Sequence, residues 1–154
     1  MHHYILLSFS VLFLLSCSND NAEEQRMEDE ERILEYIAEN NLDAEEGPEG
    51  LYYVIEQPGN GAQPEPSSTV VVHYEGFLLN GTKFDSSYDR GQPATFPLTG
   101  VIRGWQLGIP LFREGGRGTL LIPSHLAYGS NPPPGSGIPA NAVLRFEVEL
   151  LEVQ

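Results

Sequence analysis

One cysteine and one tryptophan occur in 154 residues, and 8 Lys and Arg stand against 22 Asp and Glu, for a net charge of −14. The single thiol, Cys17, excludes a disulfide framework within one chain. Two of the four histidines sit at positions 2 and 3. His73 and His125 with one Cys fall short of a metal-ligand constellation, so no metal and no cofactor is implied. No apolar run reaches the roughly 20 residues that a membrane-spanning helix needs. Ser124 and His125 are neighbours but lack the glycine-flanked elbow that presents a nucleophilic serine, so a turn accounts for them. The shortage of basic residues is uneven: Ser18 to Gly50 has 13 acidic and 2 basic residues, whereas Leu51 to Gln154 has 9 and 6. Nucleic acid and anionic lipid would both repel that acidic segment, which removes nucleic acid as a partner for it.

Residues 1–16 contain no Asp, Glu, Lys or Arg, and Tyr4 to Leu15 is almost continuously apolar. A run of this length suits the about 7–15-residue apolar core of a secretory signal, although only His2, His3 and the amino terminus supply positive charge ahead of it. The segment ends in Leu14-Leu15-Ser16-Cys17, which resembles a bacterial lipobox with a bulkier Leu15 than usual. That resemblance implies an exported protein, acylated at Cys17 and anchored to a bacterial membrane, at the outer membrane or a periplasmic face.

Residues 17–50 read as an acidic tether. Ala22 to Asn41 is rich in helix formers, lacks Gly and Pro, and has Asn19 or Asp20 to cap it. Its acidic first half suits the helix macrodipole, and Glu28 with Arg32 is a favourable pair, whereas Glu31, Glu35 and Glu39 repel. Ile33, Leu34, Ile37 and Ala38, extended by Met27, form a small apolar patch. Three readings stay open: docking on the domain, a homodimer through residues 22–41, or a solvated spacer. The patch is small enough to predict that the domain folds without the tether. Asp43 to Gly50, with its glycines and proline, reads as linker.

Residues 51–154 are enough for one domain. Leu51 to Gln57 reads as a strand stopped by Pro58-Gly59-Asn60-Gly61, and Thr69 to Leu79 as a second, closed by an Asn80-Gly81 turn. Lys83 to Ser87 and Thr95 to Leu98 are shorter strand pieces, interrupted by Gly91, Pro93 and Pro97. Gly104 to Phe112 is the domain's one helix candidate, kept short by Pro110. Arg117 to Pro123 follows with Leu120 and Ile122 on one face. Ala142 to Val153 alternates Leu144, Phe146, Val148 and Leu150 with Arg145, Glu147 and Glu149. These elements predict an α+β fold in which an antiparallel sheet of about five strands curls around one short helix.

The stretch Val101-Ile102-Arg103-Gly104-Trp105 leads into the only tryptophan, a ring large enough to floor a pocket. Together with Val71-Val72-His73-Tyr74-Glu75-Gly76, Gly81-Thr82-Lys83-Phe84-Asp85-Ser86-Ser87, Leu126-Ala127-Tyr128-Gly129, Ile138-Pro139 and Phe146-Glu147-Val148-Glu149-Leu150, it makes residues 51–154 resemble the FKBP-type peptidyl-prolyl cis-trans isomerases. The resemblance implies a pocket with Trp105 as floor and Tyr74, Phe84, Asp85, Val101, Ile102, Tyr128, Ile138 and Phe146 around it. It also implies that the Ile102 N–H and the Tyr128 hydroxyl donate to carbonyls of the ligand, with Asp85 at the rim beside Arg90 and Tyr74. Proline-containing polypeptides are the implied substrates and macrolides the implied inhibitors.

Rotation about an X-Pro bond is opposed by a barrier of about 18–20 kcal/mol because amide resonance is lost. A dry pocket with one fixed donor favours the twisted, less polar amide, and no nucleophile is required. Ala94 stands where the family often has an aromatic, Gly137 precedes Ile138 where a bulkier residue can sit, and Thr99-Gly100 shortens the approach to Val101. These departures imply a pocket wider than is usual in the family. Pro132 to Gly137 makes a rim loop too short for an inserted chaperone domain. The alternative from another class is a non-catalytic holdase using the same pocket.

Overall fold

The computed structural model describes residues 17–154, with side chains from Asp20 onward. The signal reading for residues 1–16 and the acylation of the Cys17 side chain lie outside the described residues. Among those described, no helix is long and apolar enough to cross a membrane.

Helix α1 runs Cys17–Glu39, several residues longer at its start than the capping residues suggest. It stops where Asn41 turns left-handed at φ 52, a conformation that Asn tolerates at helix ends. The strands β1 (Glu45–Glu46), β2 (Tyr52–Gln57), β3 (Thr69–Leu78), β4 (Lys83–Ser86), β5 (Ala94–Pro97), β6 (Arg117–Ile122) and β7 (Leu144–Val153) form one sheet. Its order is β1-β2-β6-β7-β3-β4, with β5 also paired to β3. All the pairings are antiparallel. The sheet has seven strands rather than about five, because the stretch read as linker supplies the two-residue β1 and β3 serves both β4 and β5.

Helix α2 (Arg103–Gly108) lies in the hollow of the sheet. Its two glycines set the depth: a Cβ on Gly104 would stand 2.4 Å from Ile122 Cγ2, and one on Gly108 2.7 Å from Leu120 Cδ1. With hydrogen there instead, the helix backbone rests directly on β6. Val70, Val72 and Tyr74 of β3, Leu120 and Ile122 of β6, and Leu144, Phe146, Val148 and Leu150 of β7 close the main core around Trp105, Ile109 and Phe112. Alternation in β7 ends at Leu150, where a bulge leaves Leu151 exposed.

Helix α1 covers the other face. Ile33 is fully buried and packs with Tyr52, Leu121 and Val143, joined by the partly buried Tyr36, Ile37, Leu42 and Leu79. This separates the patch seen in sequence: Ile33 and Ile37 face the sheet, while Leu34 and Met27 are exposed. The tether helix is therefore docked, and the solvated-spacer reading does not hold for it. Docking also explains why Leu121 is apolar between Leu120 and Ile122, since β6 is covered on both faces. Ile33→Ala is expected to cost about 2–5 kcal/mol, the usual range for emptying a fully buried aliphatic site. Denaturant unfolding of the chain checks this, and a loss below about 0.5 kcal/mol would mean that α1 adds little to the fold.

Candidate active site

The sheet and α2 enclose a cavity of about 330 Å³ lined by Tyr74, Phe84, Asp85, Phe96, Gly100, Val101, Ile102, Trp105, Tyr128 and Phe146. Trp105 is its base. Tyr74, Phe96 and Phe146 meet the indole nearly at right angles, with centroids 5.1, 5.7 and 5.3 Å away, and Phe84 meets Phe146 edge-on at 5.6 Å. Such edge-to-face pairs fix ring directions better than plain apolar contact does. Gly76 makes room for two of these rings, because a Cβ there would lie 2.6 Å from Phe84 and 3.0 Å from Phe146. The indole N–H is buried without a hydrogen-bond partner among the described residues.

Polar groups gather on one side of the mouth. The Tyr74 hydroxyl donates to Asp85 Oδ2 at 2.5 Å, and the Ser86 N–H donates to Asp85 Oδ1 at 2.8 Å. Arg90 forms an ion pair with Asp85 and donates to the Tyr74 hydroxyl at 2.9 Å. Burial pushes the Asp85 carboxyl up, but the bonds from Tyr74 and Arg90 outweigh it and hold the group below the usual carboxylate value. The Tyr74 phenol is pushed up to about 12, first by burial and then by its bond to the Asp85 carboxylate. Burial and the nearby Asp85 charge also raise Tyr128. On the far side, Gln106 Nε2 donates to the Val101 carbonyl at 2.9 Å and secures the turn that brings Ile102 to the start of α2.

A family model described as FKBP-type peptidyl-prolyl cis-trans isomerase matches residues 60–151, more than half of the chain. This chain belongs to the FKBP-type peptidyl-prolyl cis-trans isomerase family. It is similar to the FKBP-type peptidyl-prolyl cis-trans isomerase FkpA of Aeromonas hydrophila, 46% identical over 136 residues that cover 86% of this chain and 50% of that protein. The crystal structure of FkpA from Escherichia coli superposes with a TM-score of 0.73 at 39% identity, over 90% of this chain and 65% of that one. A peptidyl-prolyl cis-trans isomerase structure from Pseudomonas syringae pv. tomato gives 0.74 at 30% identity, over 86% of this chain and 95% of that one. The chain spans half or less of the length of the Aeromonas and Escherichia FkpA sequences it matches.

Within this FKBP domain, the cavity brings together Tyr74, Phe84, Asp85, Val101, Ile102, Trp105, Tyr128 and Phe146. Arg90 stands just outside the lining and acts on it through Asp85 and Tyr74. Ile138 is not in the lining; it lies in the loop that follows Tyr128 and is buried in the main core. Two lining residues were not expected from the sequence, Phe96 and Gly100. Phe96 pairs in register with Val70 while Ala94 pairs with Val72, so the aromatic is displaced by two residues along one strand face. The alternation of β5 carried that signal, since Ala94 and Phe96 are the inward positions of a four-residue strand.

Proposed function

We propose that this chain is a peptidyl-prolyl cis-trans isomerase that accelerates X-Pro rotation in exported polypeptides, attached to a membrane through acylated Cys17. The observation that carries the isomerase reading is an aromatic cavity whose one lining carboxylate, Asp85, is paired with Arg90 and bonded by Tyr74. A proline ring entering it exchanges water for the faces of Trp105, Phe96 and Phe146. The planar amide is the more charge-separated form, so losing water costs it more than the twisted one. The Ile102 N–H, with the Tyr128 hydroxyl, supplies fixed donors to the flanking carbonyls at no cost of reorganisation. Asp85, held as a carboxylate, keeps the Tyr74 ring and the Arg90 guanidinium in place around the twisting bond. Apolar residues before proline are the preferred substrates, because Phe84, Val101 and Phe146 offer them apolar surface.

A proline-limited refolding reaction tests this reading, since the uncatalysed step takes tens to hundreds of seconds. Catalytic amounts of the chain should shorten it, and a macrolide of the family's inhibitor class should compete. Suppressed aggregation with no acceleration would replace the enzyme with the holdase.

The pH profile follows from the site. Asp85 is depressed, so the contribution of its charged form is complete above the unfolded value near 4 and is lost as pH falls through its lower folded value. Tyr74 and Tyr128 are raised and remain protonated donors well into alkaline solution. A flat kcat/KM between about pH 5 and 9 is expected, with decline only below about pH 4. A bell centred near neutrality would place another titrating group in the mechanism.

Membrane attachment is tested separately. A Cys17→Ala chain should leave the membrane fraction or be misprocessed, and undiminished retention of a correctly cleaved variant would remove the anchor. A homodimer through residues 22–41 would have to use Met27 and Leu34, because Ile33 faces its own domain. Sedimentation of the wild type against Leu34→Glu decides it.

A further inference from the structure

Asp29 is the one charged side chain of the described residues that is fully buried, and it lies on the tether helix rather than in the pocket. A buried carboxylate is costly unless its oxygens are satisfied. Here Oδ2 accepts the Ser124 N–H at 2.8 Å and the Ser124 hydroxyl at 2.5 Å, and Oδ1 accepts Gln25 Nε2 at 2.9 Å. Gln25, Asp29 and Ile33 are spaced four apart, so they form one stripe of α1 facing the domain. Ile33 supplies the apolar contact and Asp29 the polar one.

Ser124 opens the tight turn Ser124–Leu126 that leads into Tyr128. Its carbonyl accepts the N–H of Ala127 at 3.0 Å and that of Gly129 at 2.9 Å, the residues on either side of Tyr128. The Tyr128 hydroxyl has no hydrogen bond of its own among the described residues, and its partly buried ring packs against the main core. With no bond at its tip, the ring is aimed into the cavity by that packing and by the backbone that carries it. That backbone is tied to Ser124, and Ser124 is tied to Asp29.

We infer that Asp29 is a positioning residue for the isomerase site: through Ser124 it holds the turn that aims Tyr128 into the cavity, which makes helix α1 part of the catalytic unit. The inference rests on the isomerase reading above. It gives the acidic helix a task that spacing alone does not explain.

The test is a double-mutant cycle in the full mature chain, with Asp29→Ala, Tyr128→Phe and the double variant, each first checked for native Trp105 emission and near-UV dichroism. Asp29→Ala should lower kcat/KM for a proline peptide about tenfold, as expected when a remote change misplaces a catalytic group. The double variant should be no slower than Tyr128→Phe alone, because Asp29 acts through Tyr128. Asp29→Asn should keep most of the activity, since the amide oxygen can accept both Ser124 donors while Gln25 turns its own amide.

With 3-fluorotyrosine in place of tyrosine, the Tyr128 resonance, assigned from Tyr128→Phe, should shift or broaden in Asp29→Ala while that of Tyr74 stays. Losses that multiply in the double variant, or wild-type activity with an unmoved Tyr128 resonance in Asp29→Ala, would overturn the inference. Should Asp29→Ala fail to fold, Ser124→Ala, which deletes one of the two bonds, takes its place with the same criteria. A wild type without isomerase activity sinks the functional reading instead, and the resonance alone then decides whether Asp29 positions Tyr128.

Discussion

Gly118→Ala is expected to be the most damaging single methyl addition in the domain. A Cβ on Gly118 would stand 2.0 Å from the Val54 carbonyl oxygen and 2.9 Å from Phe112 Cε1. The first clash is with backbone of the adjacent strand β2, which cannot rotate away as a flexible side chain could. Either β2 separates from β6 or the new methyl drives Phe112 out of a fully buried site. Overpacking in a rigid core commonly costs 1–3 kcal/mol and sometimes more. With backbone on one side and a buried ring on the other, about 3 kcal/mol or more is the expected loss. Gly100→Ala is the control, because its nearest neighbour would be Pro97 Cγ at an ordinary 3.5 Å. Thermal melts of the two variants should separate widely; coincident melts would show that β2 shifts at little cost.

Trp105→Ala is expected to abolish isomerisation and to destabilise the chain together. The substitution removes the ring against which Tyr74, Phe96 and Phe146 are oriented, and it opens a void beneath the site. Aromatic-to-alanine changes in cores cost about 3–5 kcal/mol. Loss of activity in this variant therefore does not separate chemistry from folding. Asp85→Ala supplies the separation: its carboxylate is partly exposed and lies at the rim, so the fold should survive while kcat/KM falls about tenfold. That is less than the roughly 10²–10³ lost with an oxyanion-hole donor, because a twisted amide carries less charge than an oxyanion. A Trp105→Ala chain retaining wild-type kcat/KM would show that the ring is only structural.

How much of this was legible in the sequence depends on the range over which each interaction acts. Alternation in β7 and β3 announced the core faces, and Pro110 announced a short helix. The FKBP blocks carried eight of the cavity's residues through motif order. The same motif order puts Ile138 at the pocket, whereas it is buried in the main core and is not among the residues that line the cavity. Phe96 lies outside the motif blocks, two residues beyond Ala94, where the family often has an aromatic. Register against β3 puts the two residues on one face, so a ring at either position reaches the same space.

The chain's residues by themselves determined the α+β architecture, the aromatic and mostly apolar character of the cavity, and the confinement of its charges to Asp85 and Arg90. The architecture follows from side-chain type and short-range period, which a linear sequence displays directly, whereas the cavity's residues follow from the resemblance of the motif blocks to the FKBP family. Only the tertiary structure decided that α1 is docked, that Ile33 is core while Leu34 is exposed, and that one of thirteen acidic residues between Ser18 and Gly50 is buried. In sequence, Asp29 is indistinguishable from the acids beside it. What sets it apart is the Ser124 turn, 95 residues away along the chain, whose N–H and hydroxyl both donate to its carboxylate and link the helix to Tyr128.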